Sequence, residues 1–80
     1  ARGVVHFELD LPAPSVGQLV VLDISGRVLR DFGRKAMPAG SQQLSWDGRD
    51  ATGRPLAAGR YYARLESITG RVVQSLTLLH

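Results

Sequence analysis

The sequence contains no cysteine, which excludes a disulfide framework and any thiolate metal site. No apolar run approaches the ~18 residues of a membrane-spanning helix, so we expect no membrane span. The opening letters, ARGVVHFELD, lack the apolar core of a signal peptide, and we therefore expect any export signal to lie upstream or to have been removed. Aromatic residues are also few, with one tryptophan, two tyrosines and two phenylalanines to build a core.

The length of 80 residues predicts one domain, residues 1–80. A chain of this size buries only about 60% of the surface that it exposes when unfolded. The formal charge is +3, and arginine supplies nine of the ten basic residues. A dedicated nucleic-acid binder carries a basic stripe interleaved with stacking aromatics, which this sequence lacks. We therefore expect no nucleic-acid partner.

Apolar residues recur with a period of two, which is typical of β-strands. In VVHFELDLP, the alternate residues Val5, Phe7, Leu9 and Leu11 share one face, and Pro12 ends the ladder because it has no amide donor. This segment predicts a first strand at a sheet edge.

Denser apolar runs follow. QLVVLDI is apolar on both faces and predicts a central strand covered on both sides, joined by the DISGR turn to a hairpin partner, RVLRDF. Further strands are predicted at QQLSW, RYYARLES and RVVQSLTLLH, with GRKAMPAGS and DGRDATGRPLAAG as loops. About seven short strands at this spacing indicate an all-β antiparallel sandwich or small barrel.

Six of the nine glycines directly precede an arginine. The pairs are separated by apolar periodicity and by acids, unlike the contiguous Gly-Arg tracts of disordered RNA-binding segments. Glycine permits the backbone angles of a tight turn, and arginine at a strand end keeps its charge in water. We interpret the pairs as turns from which strands resume.

The segment around Trp46 has a structural interpretation. Trp46 is expected in the core with an acceptor for its indole nitrogen, and Asp47 and Asp50 are expected to cap turns at Gly48 and Gly53. The alternative is calcium binding by DGRDATG, but a calcium loop needs more acids at alternate positions, so we expect no metal. After the turn at Gly59, the residues Tyr61, Ala63 and Leu65 are predicted to face the core.

No catalytic constellation is visible. The two histidines are His6 on the solvated face of the first strand and His80 at the end, and neither accompanies a nucleophile motif. Glu8 and Asp10 project from one strand face, but a domain of this size offers no deep cleft to desolvate them. We expect no enzyme activity, no cofactor and no small-molecule substrate.

Four segments in order carry a family resemblance: FELDLP, LVVLDISGRVLRDF, MPAGSQQLSWDGRDATGRPLAAGRYYARLES and LTLLH. Together they resemble the bacterial Ig-like domains that include the FlgD flagellar hook-capping domain and the C-terminal sorting domains of type IX secreted proteins. The resemblance implies an Ig-like, fibronectin-III-like sandwich with the signature residues Trp46, Asp47, Gly48, Asp50, Gly53, Gly59 and Tyr61.

Two functional hypotheses follow from that resemblance, both of them non-catalytic roles with protein partners outside the bacterial cell or at its surface. In the first, the chain is the C-terminal sorting or anchoring module of a larger exported protein, read by a secretion or surface machinery. In the alternative, it is a structural subunit of an extracellular filament or hook-cap-like assembly that packs through sheet edges. Val73, Thr77 and Leu79, on the outer face of the last strand, are the predicted partner-binding residues.

Overall fold

The computed structural model describes residues 4–68 and 70–79. These residues form six β-strands: β1 (Val5–Leu11), β2 (Ser15–Leu22), β3 (Val28–Met37), β4 (Gly40–Trp46), β5 (Gly59–Ser67) and β6 (Gly70–Leu78). His80, the second histidine of the sequence, lies outside the described residues. No helix in the described ranges has the length and apolarity needed to cross a bilayer.

The strands form two antiparallel sheets of unequal size. β1 pairs only with β4, and the larger sheet has the order β3-β2-β5-β6. The core lies between the two sheets and includes Leu9, Val21, Ala63 and Leu78, each fully buried. The predicted Ig-like sandwich is therefore confirmed, with β1 at an edge and β2 in the centre of its sheet.

The number of strands is six rather than the predicted seven. Turn spacing predicted about seven strands, although only six segments were assigned as strands and DGRDATGRPLAAG was assigned as a loop. The long segment between β4 and β5 is such a loop and contains one isolated bridge, from Arg49 to Pro55. Backbone and side-chain hydrogen bonds inside that segment replace the ladder of a further strand. The small sheet consequently has two strands facing four.

The predicted loop GRKAMPAGS is wrong over its first half, because β3 continues to Met37. A register shift places Leu19 opposite Gly33 but Val20 opposite Asp31, so Phe32 is the extra residue of a β-bulge. Gly33 takes a φ of 80°, which permits the bulge without ending the strand. Asp31 fixes it by accepting a hydrogen bond from the Gly33 amide at 2.8 Å.

β2 begins at Ser15, three residues before the predicted QLVVLDI segment, and Gly17 permits this extension. A Cβ at Gly17 would lie 2.7 Å from the backbone carbonyl carbon of Glu66 and closer still to its oxygen. β2 and β5 can therefore pair as far as Gly17 and Ser67 only because residue 17 lacks a side chain.

Candidate protein-interaction surface

Trp46 and Tyr61 close one end of the sandwich. Trp46 is 1% exposed, and its indole nitrogen donates a hydrogen bond of 3.0 Å to the carbonyl of Arg49. The two rings meet edge to face with centroids 5.4 Å apart. The Tyr61 hydroxyl donates to the carbonyl of Ala57, four residues upstream, in the manner of the tyrosine corner of Ig-like sandwiches.

The loop from Asp47 to Ala58, between β4 and β5, is fixed to the edge of β3. Arg30 forms an ion pair of 3.1 Å with Asp47 and lies 5.0 Å over the Phe32 ring. The amide of Ala51 donates to the carbonyl of Leu29 at 3.1 Å. Part of the free edge of β3 is thereby occupied by the protein's own loop, which reduces its availability to another strand.

Two loops have the same pattern, Asp-x-(Ser/Thr)-Gly-Arg, at Asp23–Arg27 and Asp50–Arg54. In the second, the Asp50 carboxylate accepts hydrogen bonds from the Thr52 amide, the Thr52 hydroxyl and the Arg54 amide. Asp23 accepts the three corresponding bonds in the first loop. A search for a recurring pentapeptide, DISGR and DATGR, reveals this pair in the sequence, whereas inspection of each loop alone does not.

These hydrogen bonds favour the ionised form of both carboxylates. The hydroxyl of Thr52, followed by the Arg54 amide, lowers the pKa of Asp50 from its ordinary value. The Ser25 hydroxyl, followed by the Arg27 amide, lowers the pKa of Asp23 in the same way. Both carboxylates therefore act as turn caps that depend on their charge.

The six Gly-Arg pairs have a common backbone geometry. Every glycine in them has positive φ, between 75° and 154°. The arginine stands at or just before the start of a strand at three pairs, namely Arg27, Arg60 and Arg71. The other three arginines lie inside β3 or in the loop after Trp46, so the pairs mark positive-φ positions more consistently than strand starts.

The outer face of the larger sheet carries an apolar patch. Val20 lies opposite Arg64, which lies opposite Val73, and in the next row Val28, Leu22 and Tyr62 are opposite one another. Residues paired in this way share a face, and these point away from the core side occupied by Val21 and Ala63. We call this set of residues the outer-face patch: Val20, Leu22, Val28, Tyr62 and Val73.

None of the described strands forms a further layer over the outer-face patch. Val20 and Leu22 are nevertheless only 5% and 7% exposed, although neither belongs to the core cluster. Arg64 and Tyr62 lie directly across from them on β5, and the buried Nε of Arg64 has no hydrogen-bond partner in the described part of the chain. β2 is thus covered on one face by a sheet and on the other by side chains alone.

The predicted partner-binding residues Val73, Thr77 and Leu79 are exposed, and Val73 lies within the outer-face patch. Val73 and Leu79 are 50% and 72% exposed, in alternation with the buried residues Leu76 and Leu78. Their binding role stays a prediction.

The residues considered for catalysis or metal binding do not converge. His6, Glu8 and Asp10 are exposed on β1, and Glu8 accepts a hydrogen bond from the Ser41 hydroxyl. Within residues 4–68 and 70–79, no three His, Asp or Glu side chains are grouped as metal ligands. The polar side chains described above cap turns or lie exposed on the faces of the sheets.

Comparisons with known proteins agree on one family. Residues 1–71 match the model of the FlgD Ig-like domain. The crystal structure of FlgD from P. aeruginosa aligns at a TM-score of 0.69 and 25% identity over 94% of this chain. FlgD from Xanthomonas campestris, described in connection with hook capping essential for flagellar assembly, aligns at 0.61 and 25% identity over 98% of this chain.

The chain spans 60% and 57% of the lengths of those two proteins. A comparison with curated protein sequences finds no match.

Proposed function

The chain belongs to the FlgD Ig-like domain family, and on this premise we propose that it is a non-catalytic structural module of an exported, extracellular assembly of the hook-cap kind. Copies of the domain pack against one another through the outer-face patch. The observation that carries this proposal is that Val28, Tyr62 and Val73 remain partly exposed on a sheet face over which the described strands form no further layer.

The chemistry of the patch supports a protein partner. Val28 and Val73 are each about half exposed, at 48% and 50%, so a partner would remove apolar surface from water. Arg64 lies directly opposite Val73 and adds a half-buried arginine side chain to the same sheet face. Interfaces commonly combine apolar residues, tyrosine and arginine in this way.

The structural role has more support than the sorting role. The two solved structures named above are FlgD proteins, one of them described in relation to hook capping, and neither is described as a sorting domain. We therefore adopt the assembly hypothesis as the proposed function.

Sedimentation velocity over a range of concentrations tests the proposal. We expect concentration-dependent association that is lost in Val73→Asp, because a charge in the outer-face patch would have to be desolvated. Ile24→Asp is the matched control, since Ile24 is 80% exposed in the loop after β2 and outside the patch. A monomer at every concentration, or equal loss in both variants, would overturn the proposed packing.

A further inference from the structure

A second surface lies on the other sheet, at the unpaired edge of β1. β1 hydrogen-bonds to β4 on one side, and none of the described strands pairs with its other side. Such an edge presents a row of free amide and carbonyl groups that can add a strand. The edge is independent of the outer-face patch, which belongs to the larger sheet.

The inner face of β6 opposite this edge is open. Gln74 lies across from Ala63 on β5 and therefore points to the core side of the sheet, yet Gln74 is exposed whereas Ala63 is fully buried. Val72, which lies across from buried Leu65, is only half-buried. A strip of the core side of β6 is therefore uncovered because the small sheet stops at β1.

The uncovered strip and the β1 edge together form a groove of about 870 Å³. Phe7 and Leu76 contribute apolar side chains to it. The polar residues in its lining are His6, Glu8, Asp10, Gln43, Ser45, Gln74, Ser75 and Thr77. A strand pairing with the seven residues of β1 would be about 23 Å long. The groove is lined by β1 residues from Val5 to Asp10, so it follows most of that strand.

The charge of the groove differs from that of the whole molecule. The chain has ten Lys and Arg against seven Asp and Glu, but the described residues lining the groove include two acids and neither Lys nor Arg. Glu8 and Asp10 are on the same face of β1 and form no ion pair among the described residues. Side chains of an added strand would lie beside them as cross-strand neighbours.

We propose that this groove binds an extended segment of a partner protein, which adds to β1 as the third strand of the small sheet. Apolar side chains at alternate positions of the segment cover the strip beside Leu76, and Lys or Arg at the intervening positions face Glu8 and Asp10. Backbone pairing supplies the affinity, and the apolar-basic alternation supplies the specificity.

Fluorescence anisotropy with labelled nine-residue peptides tests this proposal. We expect a peptide of alternating Val and Lys to bind about tenfold more tightly than its Val and Glu counterpart, because two cross-strand charge pairs change sign. The double variant Glu8→Lys and Asp10→Lys should reverse that preference. Glu66→Lys, which makes the same change on β5 away from the groove, should retain it.

A second variant separates strand addition from simple charge attraction. Gln74→Trp would fill the uncovered strip, and we expect it to abolish binding of the Val and Lys peptide without loss of folding. A peptide in which proline replaces each Val keeps every Lys but has no amide donor at those positions, and it should also fail to bind.

Several results would overturn the assignment. Equal binding of the Lys and Glu peptides, unchanged binding to Gln74→Trp, or binding of the proline peptide would exclude a specific third strand. Self-association that is lost in the Glu8→Lys and Asp10→Lys variant would make a second copy the occupant instead of a partner protein. Loss of association in Val73→Asp concerns the proposed function alone and leaves the groove untouched.

Discussion

Leu78, the last residue of β6, and Leu79, directly after it, provide the sharpest test of which sheet face is free. Leu78 is fully buried, whereas Leu79 is 72% exposed. Full burial of a leucine side chain is worth about 1.5–3 kcal/mol, so the buried quarter of Leu79 contributes about 0.4–0.8 kcal/mol. Leu78→Ala should cost about 2–5 kcal/mol, because it also leaves a cavity.

The two substitutions remove very different fractions of the total unfolding free energy. A domain of 80 residues has an unfolding free energy of about 4–12 kcal/mol, so Leu78→Ala removes a large part of it and Leu79→Ala very little. With a urea dependence of about 1 kcal/mol/M, a loss of 3 kcal/mol lowers the midpoint by about 3 M. The corresponding shift for Leu79→Ala is less than about 1 M.

Equilibrium unfolding in urea measures both variants by the fluorescence of Trp46, which is the single tryptophan and lies in the core. Leu79→Asp extends the test, since a charge at an exposed position should also leave the midpoint nearly unchanged. Equal midpoint shifts for Leu78→Ala and Leu79→Ala would refute the assigned alternation of β6. The surface assigned to partner binding would then be part of the core.

Three further perturbations test the remaining structure by urea unfolding. Gly17→Ala should destabilise the protein by about 3 kcal/mol, because its Cβ would collide with the backbone of β5. Gly26→Ala, at a φ of 90° with open space around it, should cost about 1–2 kcal/mol. A smaller loss in Gly17→Ala than in Gly26→Ala would contradict the close approach of β2 to β5. Tyr61→Phe removes the hydrogen bond to Ala57 and should cost about 1 kcal/mol, and no loss would show that this bond is unimportant. The pKa of Asp50 is lower in the folded state than its ordinary value of 3.8, so its contribution to stability is present above that value and is lost as the pH falls through the folded pKa. Asp50→Asn should therefore reduce the fall in unfolding free energy at acid pH. An unchanged dependence of unfolding free energy on pH would refute the role of the Asp50 charge.

The period-two pattern was sufficient to predict the layers of the fold. Val5, Phe7, Leu9 and Leu11 alternate with polar residues, and one buried face follows directly from that alternation. The extent of β3 was not predictable in the same way, because Gly33 can end a strand or form a bulge and only pairing with β2 decides between them. The need for glycine at position 17 could not be predicted from neighbouring residues either, because it comes from the close approach of the Glu66 backbone on β5.

The candidate surfaces were predicted only in part. Alternation along β6 placed Val73, Thr77 and Leu79 on one exposed face. The continuous apolar run in β2 predicted coverage on both faces, but a sequence cannot show whether a layer or the side chains of Tyr62 and Arg64 supply it. The edge position of β1 was predicted, but the groove beside it was not, because the groove depends on how far β6 extends past the two described strands of the small sheet.

The two Asp-x-(Ser/Thr)-Gly-Arg loops affect the order in which the domain folds. Each loop is closed by hydrogen bonds within five residues, so it can form before distant parts of the chain meet. The Asp23 loop brings β2 and β3 together locally, and such hairpins form within about 1–10 μs. Pairing of β1 with β4 must wait, because the whole β2–β3 hairpin lies between them in the chain. We therefore expect the β2–β3 hairpin to form before β1 pairs with β4 during folding.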